Sequence, residues 1–244
     1  MPQHRVSSDV DCFLLPEEGD FDAWDKGNHL IEETGGDVEM VFYKNSTFHF
    51  SGLTVENHRY LVPFRGNKRL QRFELYLQGE LKESSISSKG SSCSRFEGSE
   101  LWRPPVMVSA LFLIEHAYSH FLHEGLTWRH VLDWVMFSLK HKDEIDWKEF
   151  DARIDEFGFR KFYNAFSRLG QYLIGEFKDF EGLSVQDKRM LEDIWAPLDV
   201  HKTVRGLKGK LALVGNTWRA RWKYHYFTDI TWFTALWNQR SRSE

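Results

Sequence analysis

Two kinds of hydrophobic periodicity divide this chain of 244 residues into a front and a rear. Strand-like alternation of apolar and polar residues is found within residues 9–62, whereas apolar positions after residue 104 recur every three or four residues, as in helices. Between the two parts, residues 84–94 are rich in Ser, Gly and Lys, a composition typical of a loop or linker. The sequence therefore predicts an α+β protein, with a mixed β-sheet and flanking helices followed by an all-helical region.

These patterns also predict the domain organisation. We expect an α/β part at residues 1–83, a Ser-rich loop or linker at 84–98, and a helical region with a basic aromatic tail at 99–244. In the rear, Pro105 and Gly125 are expected to bracket one long apolar helix, because Pro is favoured in a first helical turn and Gly beyond a last one.

Charge is distributed unevenly along the chain. The net charge is −4, yet residues 201–244 carry nine Lys or Arg against two acidic residues. The same tail is rich in aromatic residues, among them Trp218, Trp222 and Tyr224. Two interpretations stay open: a terminal helix anchored by its large rings, or a segment that binds a nucleic acid or another anionic partner.

Cysteine content and hydropathy indicate where the chain functions. Cys12 lies in a strand predicted to be buried and Cys93 in the Ser-rich tract, a pattern that does not form a disulfide framework. The first residues lack the apolar segment of a secretory signal, and the longest apolar stretch is too short for a bilayer. We therefore predict a cytoplasmic protein without a membrane span.

Two carboxylates one residue apart stand at the start of the first predicted strand. Asp9 and Asp11 would project from the same side of an extended strand, since positions i and i+2 share a face. Such a pair is either a solvated strand start or, with a divalent cation between the carboxylates, a metal site. Glu56 lies on a later strand, and if the two strands are neighbours all three carboxylates can meet.

Histidines mark the long rear helix. His116, His120 and His123 fall at i, i+4 and i+7, opposite the apolar stripe. A hydrogen-bonded helix interface and a zinc site are both open interpretations of this spacing. Arg129 and Asp133, one turn apart on the next helix, are most simply an intrahelical ion pair.

The carboxylate motifs resemble a known superfamily. Ser-Asp-Val-Asp-Cys-Phe at residues 8–13, followed by Val-Glu-Asn-His-Arg at 55–59, is similar to the nucleotidyltransferases, whose signature is a Gly-Ser turn, an Asp-x-Asp strand and a third carboxylate. The rear is similar to an uncharacterised bacterial nucleotidyltransferase family in which helices follow this fold. The matching rear residues are His116, His120, Phe121, Gly125, Arg129 and Asp133.

The resemblance implies an activity and a set of site residues. The activity is transfer of a nucleoside monophosphate from an NTP to a hydroxyl of a small molecule or protein, with Mg²⁺ or Mn²⁺ as cofactor. Asp9, Asp11 and Glu56 match the metal-binding and catalytic carboxylates. The substrate-binding residues implied by the resemblance are Arg5, Ser8, His58, His116, His120 and Arg129.

One part of the family pattern is not matched. The Gly-Ser turn should precede the Asp pair, but Met1 stands only eight residues before Asp9, and Ser8 occupies a position where Gly is common. Because that turn normally holds the nucleotide phosphates with backbone N–H groups, we expect either an N-terminally shortened member or a catalytically inactive one that acts as a binding module.

Overall fold

The protein forms two compact units, Met1–Arg103 and Pro104–Glu244, here called unit 1 and unit 2. The structure is a computed structural model that describes the following residues: 9–15, 23–41, 44–50, 52–62, 64, 66–87, 93–96, 99–123, 125–175, 182–195, 207–229, 231 and 234. Strands lie in unit 1 and the helices of the rear in unit 2, so the prediction of an α+β fold is confirmed.

Unit 1 is built on a four-stranded mixed sheet with strand order β1-β4-β3-β2. Strand β1 runs parallel to β4, whereas β4 and β3, and β3 and β2, are antiparallel. A separate hairpin pairs β5 with β6. The elements are β1 (Asp9–Phe13), α1 (Ala23–Glu33), β2 (Glu39–Val41), β3 (Asn45–Phe50), β4 (Leu53–His58), α2 (Lys68–Ser87), β5 (Cys93–Phe96) and β6 (Ser99–Trp102).

A buried polar network attaches α1 to the sheet. The Trp24 Nε1–H donates to the carbonyl oxygen of Asn57 at 2.8 Å, and Asn57 Nδ2 donates to Asn28 Oδ1 at 2.8 Å. Ser46 Oγ also donates to Asn28 Oδ1, so this one buried oxygen accepts from both β3 and β4. Since buried polar groups are costly unless they are paired, this network fixes where α1 lies on the sheet.

The chain after β4 is held by a buried acidic residue of α2. The side chain of Glu74, which is 2% exposed, accepts the backbone N–H of Leu61 at 3.1 Å and that of Val62 at 2.8 Å. Gln78 donates to the same carboxyl group at 2.6 Å. Burial raises the pKa of Glu74 above its ordinary value, although the donated hydrogen bonds act in the opposite direction.

Two expectations for unit 1 are wrong. Residues 84–87, expected in a loop, continue α2, and residues 93–96 form β5. Serine disfavours helix only mildly, so the packing of Phe73, Leu77 and Leu81 is enough to carry the helix onward. Cys12, expected to be buried, is exposed, because β1 is an edge strand of the described sheet.

Unit 2 is helical throughout its described elements, and aromatic side chains dominate its core. Phe121, Phe162 and Phe227 pack against one another, and the Tyr118 ring contacts Phe162 with centroids 5.2 Å apart. The helices are α3 (Val106–His123), α4 (Trp128–Lys140), α5 (Trp147–Glu156), α6 (Arg160–Leu173), α7 (Val185–Trp195) and α8 (Leu207–Phe227). None of the helices in the described part combines the length and apolar character needed to cross a bilayer.

The last helix is bonded into this core by polar groups. Lys223, which is 1% exposed, donates from Nζ to the carbonyl oxygen of Phe121 at 2.7 Å and to Asp193 Oδ2 at 2.8 Å. The Tyr224 hydroxyl donates to the carbonyl oxygen of Leu122. One basic residue of the tail is thus used inside unit 2, while Trp232, Phe233 and Trp237 lie outside the described residues.

A reciprocal cap begins α7. Ser184 N–H donates to Asp187 Oδ2, and Asp187 N–H donates to Ser184 Oγ. Arg168 of α6 donates two hydrogen bonds, of 2.8 and 2.9 Å, to the Asp187 carboxylate. Burial alone would raise the pKa of Asp187, but the bonds from Arg168 and Ser184 outweigh it and lower that pKa below its ordinary value.

The α1 network yields a stability prediction. Asn28→Ala removes the oxygen that accepts from Ser46 and Asn57, so two buried donors lose a partner and the free energy of unfolding should fall by about 2–3 kcal/mol. The control is His29→Ala on the exposed side of the same helix, which should change the free energy of unfolding by about 0.5 kcal/mol or less. Urea unfolding followed by circular dichroism measures both, and equal effects of the two substitutions would contradict the role of the network.

The Asp187 cap yields a pH-dependent prediction. Asp187→Asn should lower the free energy of unfolding at pH 7 by about 2 kcal/mol, because Arg168 loses its charged acceptor. Since the folded-state pKa is depressed, the contribution is present above the unfolded pKa and is lost as the pH falls through the folded value. The free energies of unfolding of the wild type and the variant should therefore converge as the pH falls below about 4.

A matched surface carboxylate provides the control for this experiment. Asp155 pairs with Arg160 at 2.7 Å, but its side chain is 62% exposed. Asp155→Asn should cost about 1 kcal/mol or less, since exposed ion pairs contribute little. A difference between wild type and Asp187→Asn that stayed constant down to pH 2 would show that the charge on Asp187 is not what stabilises the cap.

Candidate active site

Parallel pairing of β1 and β4 brings two distant carboxylates together. Asp11 and Glu56 are partners in the register, so their side chains project from the same face of the sheet. The predicted meeting of these strands is therefore observed. The backbone of Asp9 pairs with Thr54 in the same ladder, and its side chain lies outside the described residues.

His58 lies between the two carboxylates. Its Nε2 atom is 2.8 Å from Asp11 Oδ1 and 3.3 Å from Glu56 Oε2. The ring reaches both because residues 56 and 58 share one face of β4 and Asp11 stands opposite Glu56. The sequence predicted His58 as a substrate-binding residue, whereas in the structure it contacts the carboxylates themselves.

Asn45 completes the group of side chains and was not predicted from the sequence. Its Nδ2 donates to Glu56 Oε2 at 2.8 Å, which fixes the orientation of that carboxylate. Asn45 is the register partner of His58 across the antiparallel β3–β4 pair, so both point to the face that carries Glu56. Asn45 is the first residue of β3, and the register of β3 against β4 is the signal that would have identified it.

Exposure increases from the centre of this site outward. The side chains of His58, Glu56 and Asp11 are 6%, 31% and 58% exposed, so the Asp11 carboxylate is the part most open to solvent. Burial alone would lower the pKa of His58, but its hydrogen bonds to Asp11 and Glu56 outweigh that effect and raise the pKa above its ordinary value. The two carboxylates thus stabilise the charged imidazole relative to the neutral one, and the positive charge of the ring offsets one of their two negative charges.

The donor set suits a divalent cation. One ligand atom from each of Asp11, Glu56 and His58 lies within 4.8 Å of the other two. Two carboxylate oxygens match the preference of Mg²⁺ for oxygen ligands, and the imidazole nitrogen is compatible with Mn²⁺. His58 relieves the repulsion between the two carboxylates in the protein without a metal, and a cation of higher charge would relieve that repulsion more strongly.

The structure groups the rear histidines differently from the predicted set. His116 and His120 of α3 approach His130 of α4, with the His120 and His130 ring centroids 4.7 Å apart. His123 instead bonds the carbonyl oxygen of Ser119 through Nδ1 at 2.8 Å, so it is turned away from this cluster. The spacing within α3 does not reveal how α4 packs, so it could not show that His130 joins His116 and His120.

The other predicted substrate-binding residues are not part of either group as described. Arg5 and Ser8 lie outside the described residues, and Arg129 is an exposed residue in the first turn of α4. His130, which was missed, stands one position after Arg129. A short connection through Gly125 returns α4 alongside α3, and this hairpin was the signal that could have identified His130.

Comparison with known proteins indicates the family to which the chain belongs. Neither the search of curated proteins nor that of solved structures gives a match. Residues 2–175 match the sequence model of a family described as uncharacterised nucleotidyltransferase, a span of more than two thirds of the chain that includes Asp11, Glu56 and His58. With its mixed sheet and paired carboxylates, this chain belongs to the uncharacterised nucleotidyltransferase family.

Proposed function

We propose that this protein transfers a nucleoside monophosphate from a nucleoside triphosphate to a hydroxyl group of a small molecule or protein, with Mg²⁺ as cofactor. The observation that carries the proposal is the register of β1 against β4, which makes Asp11 and Glu56 neighbours on one face. Carboxylates paired in this way suit phosphoryl and nucleotidyl transfer, in which most of the catalysis is positioning and charge stabilisation.

The reaction needs no nucleophilic side chain. The acceptor hydroxyl oxygen attacks the α-phosphorus, the bond to the bridging oxygen breaks, and pyrophosphate leaves with the electron pair of that bond. Glu56, fixed by Asn45, is positioned to orient the acceptor hydroxyl and to receive its proton. Asp11, at the open side of the site, is placed to meet an incoming triphosphate.

Asp9, Asp11 and Glu56 are the residues that would hold the cation. A bound Mg²⁺ supplies positive charge for the triphosphate and makes the acceptor hydroxyl easier to deprotonate. His58 prepares this site in the free protein, because its ring keeps the two carboxylates close together although they repel each other. Asn45 contributes further order without adding charge.

Substitution of the carboxylates tests the assignment. With a labelled NTP, Mg²⁺ and purified protein, Asp11→Asn and Glu56→Gln should each reduce label transfer to protein or added acceptors by roughly 100-fold or more, because each removes a charge from the reacting centre. The control is Glu39→Gln, an exposed carboxylate on β2 of the same sheet, which should retain full activity. Transfer that is indifferent to both site substitutions would overturn the assigned site.

Absence of Mg²⁺-dependent nucleotide binding would favour the second hypothesis. That hypothesis is a catalytically inactive member of the family that acts as a binding or interaction module. Calorimetry with an NTP in the presence and absence of Mg²⁺ distinguishes a nucleotidyltransferase from a catalytically inactive module. Metal-dependent affinity that is lost in Asp11→Asn supports this site as the nucleotide site, and absence of any affinity points to an interaction module.

A further inference from the structure

A second group of metal-ligating side chains lies in unit 2 and consists of histidines alone. One ring nitrogen from each of His116, His120 and His130 falls within 4.8 Å of the other two. The three ring centroids are separated by 4.6, 4.7 and 6.0 Å, and all three side chains are partly exposed. Solvent therefore reaches all three side chains.

Two helices hold these rings in place. His116 and His120 are one turn apart on α3, and His130 lies in the first turn of α4 after the turn at Gly125. Backbone positions on helices are fixed, so only side-chain rotation is needed to bring the nitrogens to the separation of about 3.3 Å found around tetrahedral zinc. Three ligands from two packed helices are more plausible sterically than three from one helix, an arrangement that the histidine spacing of α3 left open.

The surroundings of His130 determine which of its nitrogens is available. Its Nδ1 accepts the Thr127 N–H at 3.1 Å and lies 3.2 Å from Thr127 Oγ1, so a metal at this ring would bind through Nε2. When a metal takes Nε2, the ring proton is on Nδ1, the bond from the Thr127 N–H is lost, and Nδ1–H donates to the Thr127 hydroxyl oxygen instead. Metal-bound histidines generally donate their second N–H to such an acceptor, which fixes the ring.

We propose that His116, His120 and His130 bind one Zn²⁺ ion, with a fourth coordination position open to water or another ligand. Imidazole nitrogens suit Zn²⁺, Co²⁺ and Ni²⁺, whereas Mg²⁺ prefers the oxygen ligands of the carboxylate site. This zinc site is chemically distinct from the site of nucleotidyl transfer and does not depend on that activity. Zinc there would join the end of α3 to the beginning of α4.

Cobalt provides a direct test, because its absorption reports the ligands. Protein first treated with a chelator is titrated with CoCl₂, and visible absorption of a four- or five-coordinate Co²⁺ with nitrogen ligands should saturate at one equivalent. ZnCl₂ should displace it and raise the Tm by roughly 5 °C, since binding to the folded state alone stabilises that state. His120→Gln and His130→Gln should each weaken Co²⁺ binding by roughly 10-fold or more.

Two matched variants make the result specific. His123→Gln alters a histidine of the same helix that is bonded to Ser119 and should leave the cobalt spectrum and affinity unchanged. Asp11→Asn alters the other site and should also leave them unchanged. His116→Gln serves as an independent ligand variant if either of the first two fails to give the circular dichroism spectrum of the wild type. Cobalt binding that survives all three ligand substitutions, or that is lost in Asp11→Asn, would overturn the proposal.

Discussion

The parallel ladder between β1 and β4 is the interaction on which the rest of unit 1 depends. Parallel strands cannot be joined by a tight turn, so the intervening chain forms α1 and the antiparallel strands before returning to β1. This path places Glu56 directly beside Asp11, although many residues separate them in sequence. A shift of one residue in this pairing would turn Glu56 to the opposite face and separate the carboxylates.

The two faces of β4 have different polar partners. Asn57 bonds Trp24 and Asn28 of α1, whereas Glu56 and His58 on either side of it face Asp11. The α1 network thereby constrains the register and direction of the strand that carries the site. Precision in the placement of Glu56 comes from buried amide and indole groups that themselves take no part in the proposed chemistry.

The sequence was informative where periodicity and strand pairing determine the outcome. Asp11 and Glu56 were predicted to meet because two-residue alternation and neighbouring strands suffice to place them. Asn45 and His130 were missed because each reaches its partners only through tertiary pairing, across β3–β4 and α3–α4 respectively. The role of His123 stayed open, since helical spacing alone cannot tell which histidines an adjacent helix approaches. The prediction that Cys12 is buried was wrong for a related reason: strand propensity does not indicate which strand lies at the edge of a sheet.

The buried contacts of Lys223 affect the order in which unit 2 folds during synthesis. The family match ends at residue 175, yet the buried ammonium group of Lys223 and the hydroxyl of Tyr224 bond carbonyl groups near the end of α3. Until the ribosome has synthesised α8, the Phe121 and Leu122 carbonyls and the Asp193 carboxylate lack these partners. The helices within the matched segment can form earlier, but the core of unit 2 closes only when α8 is present, so the final folding step of unit 2 follows translation of α8.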